Sequence, residues 1–221
     1  MTGVREEVLA RVVAALSRTT QSVPPAPPVP REYRRAGSSP LVPPELVDLL
    51  LDRLADYRAT VVLCTPAGLP HAVAEQLADA GSVVVPPGLD RAWLADLPTG
   101  AVAVRVDDAE APLSHVDLDG IGAVLTGCRV AAAETGTIVL DGGSDQGRRA
   151  LTLLPDRHVC VVRADQVVAG VPDVVALLGA APERPLTWIS GPSATSDIEL
   201  VRVEGVHGPR DLRVLVVVDP A

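Results

Sequence analysis

The stretch that decides the fold runs from Pro43 to Val85 and reads PPELVDLLLDRLADYRATVVLCTPAGLPHAVAEQLADAGSVVV. Its first part, PPELVDLLLDRLADY, opens on two prolines, which suit the first turn of a helix, and then repeats leucines at helical spacing. ATVVLCT is a short apolar run rich in β-branched residues, the pattern of a buried strand. LPHAVAEQLADAG returns to helical spacing and closes on Gly81, and SVVVPPG is the next strand. Working outward, RAWLADLP reads as a short helix and AVAVRV as a third strand. This alternation predicts an α/β domain with a parallel sheet.

Beyond Val106 the texture changes. DDAEAPLSHVDLDGIG reads as a polar insert, and the strand-like runs TGTIVL and HVCVVRA are joined by a glycine-rich loop without a helical pattern, which predicts an antiparallel or mixed half. VPDVVALLGAA is a helix, PLTWIS a strand, GPSATSDIE a loop and helix start, and DLRVLVVV a final buried strand. Towards the N-terminus, Val4, Val8, Leu9, Val12, Val13 and Leu16 share one face of an amphipathic helix, and the proline-dense SVPPAPPVP follows as a semi-rigid linker. Residues 1–31 therefore read as a helical arm and linker, and 32–221 as the main domain.

Composition narrows the chemistry. The 221 residues suffice for a sizeable core, and with 2% aromatic residues and no Phe that core must be built of Val, Leu and Ala. All 19 basic residues are Arg, which removes Schiff-base and P-loop lysine chemistry. A net charge of -9 with scattered arginines offers no basic stripe for nucleic acid. Cys64, Cys128 and Cys160 lie far apart and form no C-x-x-C pair, so neither a cysteine-rich metal site nor an iron–sulfur cluster held by this chain alone is expected. The four histidines show no metal-binding spacing. No secretory signal or roughly 20-residue apolar span is visible, and the default compartment is a reducing cytoplasm.

Several residues are candidates for chemistry. Glu134 stands between Ala131–Ala133 and Thr135-Gly136-Thr137, where small residues leave room around a carboxylate. Two readings stand: an acid/base or nucleophilic group with a raised pKa, or a structural acceptor for neighbouring backbone N–H groups. The loop GPSATSD supplies Gly191, Ser193, Thr195 and Asp197 after a strand, the ingredients of a phosphate or carboxylate site or of an ordinary capped loop. Gln146, Arg148 and Arg149 lie on GGSDQGRRALTLLPDRH, where a guanidinium can clamp an anion or simply meet solvent. His207, between glycine-flanked residues in GVHGPR, is a further ligand candidate. There is no G-x-S-x-G elbow and no G-x-G-x-x-G after the first strand, so hydrolase and dinucleotide readings lack support.

The runs TGCRVAAAETGTIVL, GRRALTLLPDRHVCVVRADQVV and LTWISGPSATSDIELVRVEGVHGPRDLRVLVV, in this order, resemble the lactate utilisation protein C family, also called the LUD domain. The resemblance covers Thr126 to Val218 closely and the whole chain loosely. It implies a Rossmann-like three-layer α/β sandwich of the sugar-phosphate isomerase and CoA-transferase type. It also implies a component of L-lactate oxidation to pyruvate that works with two iron–sulfur partners, lactate utilisation proteins A and B, which carry the clusters. Thr135, Gly136, Thr137 and the 191–197 loop match the family pattern, while a catalytic Glu134 is an analogy at fold level. The residues leave two alternatives open: a free-standing transferase or isomerase using Glu134, and a regulatory module that binds a small carboxylate.

Overall fold

The computed structural model describes residues 3–17, 27–179, 183–195, 203–204 and 208–220. They fall into two compact units, Met1–Tyr33 and Arg34–Ala221. The first contains α1 (Val4–Ser17), with Glu6 and Glu7 in its first turn and a Glu7–Arg11 ion pair of 2.8 Å one turn apart.

The second unit is built on a six-stranded sheet. Its strands are β1 (Thr60–Cys64), β2 (Ser82–Val85), β3 (Ala103–Val106), β4 (Ala123–Thr126), β7 (Arg157–Arg163) and β12 (Asp211–Val217), in the order β1-β12-β7-β4-β2-β3. Each pairing in it is parallel. A smaller sheet has the order β8-β5-β6-β9, from β5 (Val130–Ala132), β6 (Thr137–Leu140), β8 (Val167–Val168) and β9 (Thr187–Ile189). In it β5 and β9 run antiparallel to β6, and β8 runs parallel to β5. A short antiparallel pair joins β10 (Ala194–Thr195) to β11 (Val203–Glu204).

Alternation along the strands sorts the main sheet into two buried faces. Val83, Val85, Leu125, Val159, Val161, Leu215 and Val217 pack with Leu69, Val73 and Leu77 of α3 (Leu69–Leu77). On the other face Cys160, Val162, Val214 and Val216 pack with Leu46, Leu50 and Leu54 of α2 (Pro43–Asp56) and with Ile138 and Leu140 of the small sheet. Nearer β2 and β4 this face is covered by Leu118 of α4 (His115–Asp119) and by Leu151 of the single-turn helix Arg149–Thr152. Val174 of α5 (Val171–Leu178) packs on the far face of the small sheet, against Val130, Ala132 and Val139. This is the Rossmann-like, three-layer α/β arrangement.

The alternation before Val106 appears as expected, except that RAWLADLP shortens to one 3-10 turn, Arg91–Leu94, capped by the Asp90 side chain. The second half is mixed, as expected, and contains a helix and a strand that the sequence pattern did not place. The polar insert contains α4, whose Ser114 and Asp117 cap one another, and it leads into β4. HVCVVRA is β7, which pairs in parallel with β4 and β12 inside the main sheet, although no crossover helix lies between β6 and β7. TGTIVL is antiparallel, as expected. Within GPSATSDIE, expected as a loop and helix start, Ala194–Thr195 form strand β10 and residues 196–200 lie outside the described ones, as do residues 22–26 of the proline linker.

The end of α2 exposes one local weakness. Ala59 N–H donates to Leu54 O at 3.1 Å and Arg58 N–H to Ala55 O at 2.8 Å, which closes the helix with Arg58 at φ 64°. This closure normally uses glycine, because a Cβ is strained in the left-handed region. Arg58→Gly is therefore expected to raise stability by about 0.5–1 kcal/mol, read as a higher urea midpoint at unchanged m-value.

Candidate functional site

The loop between β6 and β7 makes the candidate site. Asp141 N–H donates to Gln146 Oε1 at 2.7 Å, Gly143 N–H to Asp141 Oδ1 at 3.2 Å, and the N–H groups of Gln146 and Gly147 donate to Gly143 O at 2.9 and 3.0 Å. The loop thus holds its own shape, with Gln146 buried as its internal brace. It docks where β2 and β4 end: Gly88 N–H donates to Ser144 O and Gly127 N–H to Asp145 O, both at 3.0 Å. The approach is so close that a Cβ on Gly88 would stand 2.5 Å from Ser144 Cβ, and one on Gly127 2.2 Å from Asp145 Oδ2. Glycine at both positions is what lets the loop lie over the carboxyl ends of the parallel strands, the usual place for ligands in an open α/β sheet.

Arg148, which follows the loop, is fixed rather than free. Its Nε donates to Asp107 Oδ2 at 2.7 Å, and its Nη2 to Asp107 Oδ1 at 2.9 Å and to Leu113 O at 2.6 Å. Asp107 stands just beyond β3 with its side chain only 4% exposed. Burial by itself raises its pKa, but the Arg148 hydrogen bonds, the Leu113 N–H and the Arg148 charge outweigh it and hold the carboxyl below the ordinary aspartate range.

Clefts lined by described residues surround these elements, and three of them bear on the site. One, of about 380 Å³, is lined by Pro87, Asp107, Ser144, Arg148, Arg149 and Thr187 among others. A second, of about 260 Å³, lies along Ser190–Ala194 and shares Arg149, Thr152 and Thr187 with the first. The third, of about 600 Å³, brings Arg129, Arg163 and Arg184 to the other flank of the loop. There Asp141 Oδ2 accepts from Arg184 Nη1 at 2.9 Å and lies 3.8 Å from Arg129 Nε, so two of the three arginines share one buried carboxylate.

The candidate residues separate into groups. Gln146 and Arg148 line the first cleft, while Gly191 and Ser193 line the second. Thr137 Oγ1 is 2.8 Å from both Thr135 Oγ1 and Ser190 Oγ, so a row of hydroxyls runs from the β5–β6 turn to the end of β9. Gly136 turns that hairpin at φ 57°, with its Cβ position facing Arg53 of α2. Thr195 contributes its backbone to β10, whereas Asp197 and His207 lie outside the described residues.

Glu134 sits on the 3-10 turn between β5 and β6 and lines none of the three clefts. Arg34 engages both of its oxygens, Nη1 to Oε1 at 3.1 Å and Nη2 to Oε2. A guanidinium therefore takes the place of the backbone N–H partners that a structural role suggested from sequence. Because Arg34 is 56% and Glu134 32% exposed in their side chains, water screens the pair. Glu134→Gln is expected to cost no more than about 1 kcal/mol in thermal denaturation.

Sequence reasoning did not find Arg34, Asp107 or Ser190. Asp107 had a usable signal, a carboxylate directly after a strand of the parallel sheet. Arg34 had none, since 100 residues separate it from its partner.

Cys128 and Cys160 are buried. Cys128 Sγ lies 3.5 Å from Gln166 Oε1, and Cys160 Sγ lies 3.7 Å from Gly127 O. A hydrogen bond to Cys160, together with burial, pushes the Cys128 thiol up. Among the described residues no group of three or more His, Cys, Asp or Glu side chains is placed to hold a metal ion. Nor is any described helix long and apolar enough to cross a membrane.

Known proteins share this arrangement. The LUD domain model matches residues 114–217, which hold β4 to β12 and the loop that forms the clefts. Over 213 residues the chain is 48% identical to Lactate utilization protein C of Deinococcus radiodurans, covering 96% of this chain and 94% of that one. Over 193 residues it is 26% identical to the protein of the same name from Bacillus subtilis, covering 79% of each. The crystal structure of a DUF162 family protein from Deinococcus radiodurans superposes with a TM-score of 0.69 at 47% identity, over 81% of this chain and 100% of that one. Sequence and architecture together show that the chain belongs to the lactate utilization protein C family of LUD-domain proteins.

Proposed function

We propose that this protein is a component of an iron–sulfur-dependent system that oxidises L-lactate to pyruvate, and that partner proteins, the lactate utilisation proteins A and B, carry the clusters. The observation that carries the reading is the 48% identity, over nearly the whole of both chains, to a relative named for lactate utilisation. The cysteines support the division of labour: Cys128 and Cys160 are buried and hydrogen-bonded within the core rather than gathered at a surface. Removing two electrons from lactate requires an acceptor, and in this reading the partners' clusters take them while this chain supplies a site at the carboxyl end of its sheet.

Genetic loss of the chain tests the reading. Growth on L-lactate as the carbon source is expected to fail and to return when the wild-type chain is supplied, with growth on glucose unaffected. Undiminished growth on L-lactate without the chain would sink it.

A further inference from the structure

We propose that the two adjoining clefts around Arg149 form a binding site for a small monocarboxylate bearing a hydroxyl or keto oxygen, with Arg149 pairing the carboxylate. The charge pattern points there first. The ionisable residues lining the 380 Å³ cleft are Asp107, Arg148 and Arg149, and Asp107 and Arg148 neutralise one another through two hydrogen bonds. Among the described residues the 260 Å³ cleft adds only His158, which is buried with Nε2 2.8 Å from Thr126 Oγ1. Arg149 is left as one uncompensated positive charge at the junction of both spaces, with no ion pair or side-chain hydrogen bond among the described residues. A guanidinium with its fork free matches one carboxylate in bidentate fashion, and a single positive charge matches a monoanion better than a dianion.

The remaining lining sets the rest of the ligand. Thr152 Oγ1 donates to Arg149 O at 3.2 Å, which leaves its lone pairs to accept from a ligand hydroxyl. Thr187 Oγ1 and Ser144 Oγ make no hydrogen bond to another described residue, and so each offers a donor to a keto or hydroxyl oxygen. Pro87, Leu140 and Pro185 provide an apolar wall suited to a methyl-sized group. The third cleft does not offer the same match, because its arginines meet Asp141 and, for Arg163, Asp165.

Choosing lactate and pyruvate as probes rests on the function proposed above; the site itself rests on the charge pattern. The test is ligand titration of the full chain, followed by amide chemical shifts, with L-lactate, pyruvate, propionate and inorganic phosphate. Pyruvate and L-lactate are expected to shift the Gly142, Gly143 and Ser144 amides saturably, while propionate, which lacks the hydroxyl or keto oxygen, binds more weakly. Arg149→Gln is expected to weaken binding about tenfold with an unchanged circular dichroism spectrum, and Arg149→Lys to recover part of it as a point charge. Arg91→Gln, an exposed arginine elsewhere, is expected to bind as wild type. Equal binding by Arg149→Gln and wild type, absence of binding at millimolar ligand, or a preference for phosphate would each overturn the proposal. Absence of binding by a chain that growth on L-lactate requires removes this site and leaves the functional reading standing. Arg149-dependent binding in a chain dispensable for that growth does the reverse.

Discussion

Arg148→Met is expected to lower stability at neutral pH by about 3 kcal/mol, since it leaves the Asp107 carboxylate buried without its partner. The magnitude follows from burial. Asp107 is 4% exposed in its side chain, and after the substitution, among the described residues, only the Leu113 N–H, at 2.9 Å, still donates to it. The pH dependence separates this cause from simple loss of packing. In the wild type the Asp107 pKa lies below its unfolded value, so the pair contributes fully above the ordinary aspartate pKa of about 3.9 and the contribution is lost as pH falls through the folded value. In the variant, burial without a guanidinium reverses the shift, and protonation relieves the unpaired charge. The gap between the two proteins in urea denaturation should therefore narrow from neutral pH towards acid. A gap that stays constant across that range would assign the loss to Arg148's aliphatic stem and not to the ion pair.

Leu50→Ala is expected to cost a further-ranging loss of about 3–4 kcal/mol. Leu50 is fully buried in the cluster that joins α2, the main sheet and the small sheet. Among the described residues the cluster around it holds Leu, Ile, Val and Ala side chains and no aromatic ring that could swing into the space, so the cavity should persist. Because α2 also backs the Gly136 turn, the loss is expected to fall on the hairpin carrying Thr135 and Thr137, seen as faster amide exchange there. Leu50→Met, which nearly preserves volume, should cost less than about 1.5 kcal/mol.

How much of this was legible in the sequence follows from the range of each interaction. β1, β2 and β3, with α2 and α3 before them, announce themselves through local periodicity and proline or glycine punctuation. β4 has four residues and directly follows a charged segment, so its apolar run is too short to stand out. The Ser114-x-x-Asp117 capping pattern before it was the available sign of α4. The sequence leaves the direction of β7 open between antiparallel and mixed pairing because parallel neighbours normally need a crossover helix, and the chain reaches it instead through the small sheet and a single helical turn.

The site was legible in its parts and not in its pairings. The glycines and arginines of the 142–149 loop mark an irregular, charged segment over the sheet. Which of its two adjacent arginines is spent and which is free depends on Asp107, 41 residues earlier in the chain. Glu134 stood out by its setting among alanines, yet the partner that occupies it comes from before α2.

The central claim, that this chain works within an iron–sulfur-dependent lactate-oxidising system, is tested most directly by recovering the tagged chain from its own cells and assaying the recovered material for L-lactate-dependent reduction of an artificial electron acceptor. The account predicts that iron–sulfur proteins come with it and that the acceptor is reduced only when L-lactate is added. A chain recovered alone, with no lactate-dependent reduction, would contradict it.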